Sequence, residues 1–247
     1  MVRLCSVLAV LASLLLVPLA DAQTPQQPRP HGQSYPAWAA DWWTWALSQS
    51  VATNPVLDTT GEQCAVAQQG NVWFLAGTFT PDPVTRACTV PAGTALLIPV
   101  INIFYCALAE DPPEQQTEEY ARAQVAHVED AASGLSVTVD GRTVPRLTYE
   151  ESEVFSIVLP ADNVFGLPAG TVASPCADAG YYTLVPPLSV GEHTIRIQGT
   201  LDTFTVDVIY HITVAPRGSW RSQTGAGQDR RRCSEVRALR SRFEVSD

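Results

Sequence analysis

Apolar and polar positions change period several times along this chain, and each change marks an element. From residue 34 to 50 the apolar positions recur at helical spacing. Trp38, Trp42 and Trp45 stand at i, i+4 and i+7, hence on one face, with Trp43 beside it. Ser34 can cap such a helix, and Pro36 falls in its first turn. Residues 72–76 and 94–104 are unbroken apolar runs, the pattern of strands covered on both faces. Pro99 removes a ladder donor from the second run, so that strand is expected to be bulged or to lie at an edge. Asn102 is its one polar interruption and reads as a hydrogen-bonded core residue.

Residues 113–132 predict a second helix, with Glu114, Glu118 and Glu119 in its first turns. Its buried stripe is Ala121, Val125, Val128 and Ala132, with His127 at the boundary. Beyond it the period is two. Residues 135–139 alternate, and Asp140-Gly141 is hairpin chemistry. Residues 155–159 and 181–185 are further strands. In the last hairpin His193, Ile195 and Ile197 share one face, and Phe204, Val206, Val208, Tyr210, Ile212 and Val214 share another. Joining those faces requires an odd register sum, such as Ile195 opposite Val208. That register would set Arg196 opposite Asp207 and Glu192 near His211. Many short strands with two helices predict a mainly β domain: an antiparallel β-sandwich, jelly-roll-like, with two peripheral helices.

The two ends break this pattern. Residues 1–22 read as a secretory signal peptide, with Arg3, an apolar run over 4–19 and a small-x-small site at Ala20-Asp21-Ala22. The run falls short of the roughly 20 residues a bilayer span needs, and no other segment is long and apolar enough. Residues 23–33 form a Pro/Gln-rich linker, 34–215 the domain, and 216–247 an Arg-rich tail expected to be disordered. The expected location is secreted or periplasmic.

Composition narrows the chemistry. All 15 basic residues are arginine, which excludes lysine-dependent P-loop and Schiff-base mechanisms. Residues 23–215 carry a net charge of −14 and residues 216–247 a net charge of +4, so the body repels nucleic acid. Cys64, Cys88, Cys106 and Cys176 are an even set in an exported chain and imply two disulfides. Three pairings are open. Cys64–Cys88, closing a local loop, and Cys106–Cys176, tying distant segments, are favoured over the others and over zinc, for which no CxxC pair exists.

Trp38-x3-Trp42-Trp43-x-Trp45, Asn54-Pro with Asp58, Gly61 and Cys64, residues 72–78, Arg86-x-Cys88, residues 98–102 and the final hairpin resemble a group of secreted bacterial proteins of unassigned function. The resemblance spans about 34–215. It implies one exported domain with paired cysteines and transfers no activity.

For function, no HExxH, GxSxG, GxGxxG or CxxC motif is present. Asn54, Asp58 and Glu62 lie in one turn-rich loop and supply the oxygen donors that calcium prefers. Asp58, Glu62 and His211 are the candidate catalytic groups. Trp38, Trp42 and Trp45 are the candidate substrate platform, unless they simply cover the β core. The expected activity is a secreted hydrolase, with calcium assisting, of a neutral ester, lactone (an acyl-lactone signal among them) or glycoside. The alternative is a non-catalytic binding module for a glycan, the cell envelope or a protein. The expected ligand is a neutral small molecule or glycan, not nucleic acid.

Overall fold

The computed structural model describes residues 30–80 and 82–218. The expected signal peptide, linker residues 23–29 and tail residues 219–247 lie outside these residues.

In chain order the elements are α1 (Tyr35–Leu47), β1 (Val72–Phe74), β2 (Val84–Pro91), β3 (Ala95–Cys106), α2 (Glu118–Val125), α3 (Val128–Ala131), β4 (Ala132–Val139), β5 (Arg142–Thr143), β6 (Thr148–Glu151), β7 (Phe155–Val158), β8 (Val172–Val185), β9 (Gly191–Leu201) and β10 (Phe204–Ala215). The first sheet has the order β1-β3-β8-β6, with β7 also on β8; the second has the order β2-β10-β9-β4-β5. The fold is mainly β, consistent with a sandwich. Each sheet carries one parallel pair, β1 with β3 and β2 with β10, so both are mixed where antiparallel pairing was expected. The cause is connectivity: the chain lays β2 in the second sheet before returning to place β3 beside β1.

The unbroken apolar runs follow from the layers. Leu96, Ile98, Val100 and Ile101 of β3 join the core between the sheets, whereas Ala95 and Leu97 face the tryptophans of α1. The first sheet is thus a middle layer, covered on both sides. The second sheet has an outward face, and its long strands alternate buried with exposed positions. Ser34 caps α1 by accepting from the Ala37 N–H at 3.3 Å, with Pro36 in the first turn.

Two expectations are corrected. The helix expected over 113–132 is broken, because Thr117 starts a fresh helix by accepting from the Tyr120 N–H and Ala132 turns into extended backbone. The β9–β10 register is odd as required but shifted by two: Ile197 faces Val208, and Ile195 faces Tyr210. Its tight turn is Asp202-Thr203, with Asp202 at φ 53°. Both disulfides form as favoured, Cys64–Cys88 and Cys106–Cys176.

Candidate functional site

β1 pairs with β3 only over Ala95–Leu97. From Pro99 onward that side of β3 has no strand beside it among the described residues. The Ala95 N–H donates toward the β1 side, and four residues on, on the same side of β3, comes Pro99, which has no N–H to leave stranded. Val100 is the bulge, since Pro99 faces Tyr182 and Ile101 already faces Tyr181. The space a longer β1 would fill is a cavity of about 240 Å³. One wall is Trp42 and Trp43 of α1; the opposite wall is Leu201, Phe204 and Val206 of the second sheet. Phe79, 41% exposed, stands at the rim. Among the described residues, Asn102 and Thr78 are the polar side chains of the lining apart from the indoles, whose N–H groups are spent elsewhere. Phe104 also lines a second apolar cavity of about 220 Å³, shared with Leu108, Ile157 and Phe165.

Behind the first cavity lies a buried polar quartet. Asp178 on β8 is wholly buried. Its Oδ2 accepts from Trp43 Nε1 at 2.6 Å and its Oδ1 from the Tyr182 hydroxyl at 2.7 Å. Asn102 Nδ2 donates to the Tyr182 oxygen at 3.0 Å. Asp178, Gly180 and Tyr182 alternate onto one face, and Asn102 is the cross-strand partner of Gly180. Gly180 is required there: a Cβ would come within 2.5 Å of Asn102 Cβ and block the side chain lying over it. Ser152 accepts from the Asp178 N–H and donates its own N–H to the Asp178 carbonyl, anchoring the backbone. Burial pushes the Asp178 carboxyl up to about 7, although the Tyr182 and Trp43 hydrogen bonds pull the other way. Burial and the adjacent carboxylate hold the Tyr182 hydroxyl well above its ordinary range.

The residues expected at the site are distributed otherwise. Trp42 lines the cavity, while Trp38 and Trp45 are buried beneath the first sheet and pack edge-on against Phe74. Trp42 and Trp45 donate their indole N–H groups to Leu75 and Val66 carbonyls. Asn54 is buried and spends its amide on the Ala46 carbonyl and the Val56 N–H. Asp58 accepts from Thr60 N, Thr60 Oγ1 and Gln63 N. Burial raises the Asp58 carboxyl, but those backbone hydrogen bonds together hold it below its usual value. Glu62 is exposed. Among the described residues no group of three or more His, Cys, Asp or Glu side chains could hold a metal ion. His211 is exposed on the outer face of the second sheet, between Thr194 and Ala87. Glu192, expected near it, accepts from the Thr213 hydroxyl because of the register shift. Arg196 still reaches Asp207, diagonally, with two bonds of 2.9 and 2.8 Å. None of Asp58, Glu62 or His211 lines either apolar cavity.

One further arrangement has the composition of a catalytic triad. His193 Nδ1 lies 2.7 Å from Asp140 Oδ2, and Nε2 lies 3.3 Å from Ser189 Oγ. The same Nε2 is closer, 2.9 Å, to the Ser189 carbonyl oxygen, which can only accept. Both ring nitrogens therefore act as donors, and the Asp140 hydrogen bond raises the His193 pKa. An imidazolium clasped in this way ties two loops together and cannot take a proton from serine.

Comparison with family models, with curated proteins and with solved structures gave no match to the chain. The residues that sequence reasoning missed are Asp178 and Tyr182. Their signal is present: a lone carboxylate among Cys176, Ala177, Ala179 and Gly180, four residues before a tyrosine. Small neighbours leave an acid nowhere to be solvated once the strand is buried.

Proposed function

We propose that this chain is an exported, non-catalytic binding module whose cavity takes a neutral small molecule through an apolar chain or ring. The observation that carries this reading is the lining: aromatic and aliphatic walls with two polar side chains and no charged one. Binding pockets combine an apolar surface with a few placed polar groups in this way. The volume, about 240 Å³, lies below the roughly 300–1,000 Å³ of sites for whole drug-sized ligands, so the cavity holds a ring or a chain end. The absence of charge in the lining disfavours an anion or a cation, which would surrender its hydration for nothing.

The geometry supports binding more than hydrolysis. Among the described residues no acid, base or metal cluster borders the cavity, and Asp178 is sealed behind Trp43 and Tyr182. The two disulfides, and the fact that no described helix is long and apolar enough to cross a membrane, are consistent with export.

The test is titration with the neutral dye N-phenylnaphthylamine, followed by displacement with octanol. Trp42 and Trp43 wall the cavity, so occupancy should shift the intrinsic tryptophan emission together with the dye signal. Ile103→Trp, which fills the space, should weaken dye binding about tenfold or more with the thermal transition retained. A wild-type chain that binds no dye, or a filled variant that binds equally well, overturns the proposal.

A further inference from the structure

The quartet behind the cavity fixes more than the fold. Trp43 Nε1 is a donor only, and it is spent on Asp178 Oδ2. The Tyr182 hydroxyl has one hydrogen, given to Asp178 Oδ1 when that carboxylate is ionised. The Tyr182 oxygen can then only accept, so the Asn102 carboxamide must turn its Nδ2 toward it. The relay leaves the carbonyl end of that amide with one defined orientation. Asn102 Oδ1 accepts nothing from the described residues, and it is not sealed from solvent. Asn102 lines the cavity. We infer that Asn102 Oδ1 is the specificity-determining acceptor of the cavity, selecting uncharged apolar molecules that carry an O–H or N–H donor, such as an alcohol or an N-acyl amide. This rests on the binding reading above. A carboxylate anion would set its lone pairs against Oδ1 and bring its charge toward Asp178, two hydrogen bonds away. A molecule with acceptors alone would leave Oδ1 unpaired once water is displaced.

The experiment compares displacement of N-phenylnaphthylamine by octanol, methyl octyl ether and octanoate, at a pH above neutrality where Asp178 is ionised. The wild-type chain should bind octanol about tenfold more tightly than the ether, and octanoate more weakly than either. Asn102→Leu should bring the octanol-to-ether ratio to about one. Tyr182→Phe, which removes the group that orients the amide, should lower the same ratio part-way. The thermal transition of each variant reports its folding. Equal wild-type affinities for octanol and ether, or an Asn102→Leu variant that keeps the tenfold preference, overturn this inference and leave the binding module intact. Failure of the dye and all three compounds to bind overturns the binding module itself.

Discussion

Among the described residues two charged side chains are buried, and they are satisfied in opposite ways. Arg86, 1% exposed, has no carboxylate partner among its hydrogen bonds. Its Nε donates to the Asp58 carbonyl, Nη1 to the Ala76 and Gly77 carbonyls and to the Tyr210 hydroxyl, and Nη2 to the Val56 carbonyl. A planar cation with five donors is thus enclosed by main-chain oxygens from two segments and a tyrosine hydroxyl from a third. Asp178 has four lone-pair sites and two side-chain donors, one of them Trp43 of the cavity wall. The guanidinium serves as a rivet between the 54–64 loop, the chain just after β1 and β10. The carboxylate is under-solvated, so its charge depends on the medium. The first buried charge is saturated by dipoles, and the second is left short of them.

The largest expected effect comes from breaking the saturated side. Arg86→Met leaves the Val56, Asp58 and Gly77 carbonyls without their donor and takes one of two donors from the Ala76 carbonyl and the Tyr210 hydroxyl, and should cost on the order of 5 kcal/mol in denaturant unfolding. A loss below about 1 kcal/mol would mean that the carbonyls find water and that the rivet is dispensable.

Asp178→Asn should act the other way. The carboxyl is raised from 3.8 to about 7, so the folded state holds the proton more tightly than the unfolded chain does. Wild-type stability should therefore fall as pH rises from about 4 to about 7 and level off above, a change of at most about 4 kcal/mol. The amide variant should lack this slope and be the more stable protein above neutrality. Parallel pH profiles for the two chains would show that Asp178 is ionised throughout.

The smallest effect belongs to the exposed clasp. The Asp140 hydrogen bond raises the His193 pKa, so its contribution is complete below the unfolded value of about 6.5 and is lost as pH rises through the folded one. Asp140→Asn should remove that shallow, higher-pH portion of the profile and leave the Asp178 portion in place. Histidine NMR titration checks it: an unshifted His193 in the wild-type chain would contradict the clasp.

What could be read from the sequence follows the physics of each region. The α1 cap and the break at Pro99, expected as a bulge or an edge, follow from local chemistry, and the disulfide pairing is favoured on loop closure among three that are open; the covered strands depend on burial of whole faces, which periodicity reports directly. Asn102 was legible as a hydrogen-bonded core residue for the same reason. Its partners were not, because Trp43, Asn102 and Asp178 meet only after three elements converge, with Trp43 and Asp178 separated by 135 positions. The 54–62 loop misleads in the opposite sense. Its oxygens look available for a cation in one dimension, yet in three they cap their own backbone, as Asp58 does for Thr60 and Gln63. The hairpin register could not be read to better than two residues, since a shift by two keeps every side chain on its face.

The early end of β1 has one more consequence, and it concerns crowding. A strand whose flank is left uncovered is where sheet proteins fuse with their neighbours into aggregates. Here Pro99 offers no N–H, Val100 kinks the line, and the indoles on one side and Phe204 on the other narrow the approach to a slit. Another sheet cannot lie flat against that flank, so the exposed side of β3 does not offer a template for pairing with a second chain.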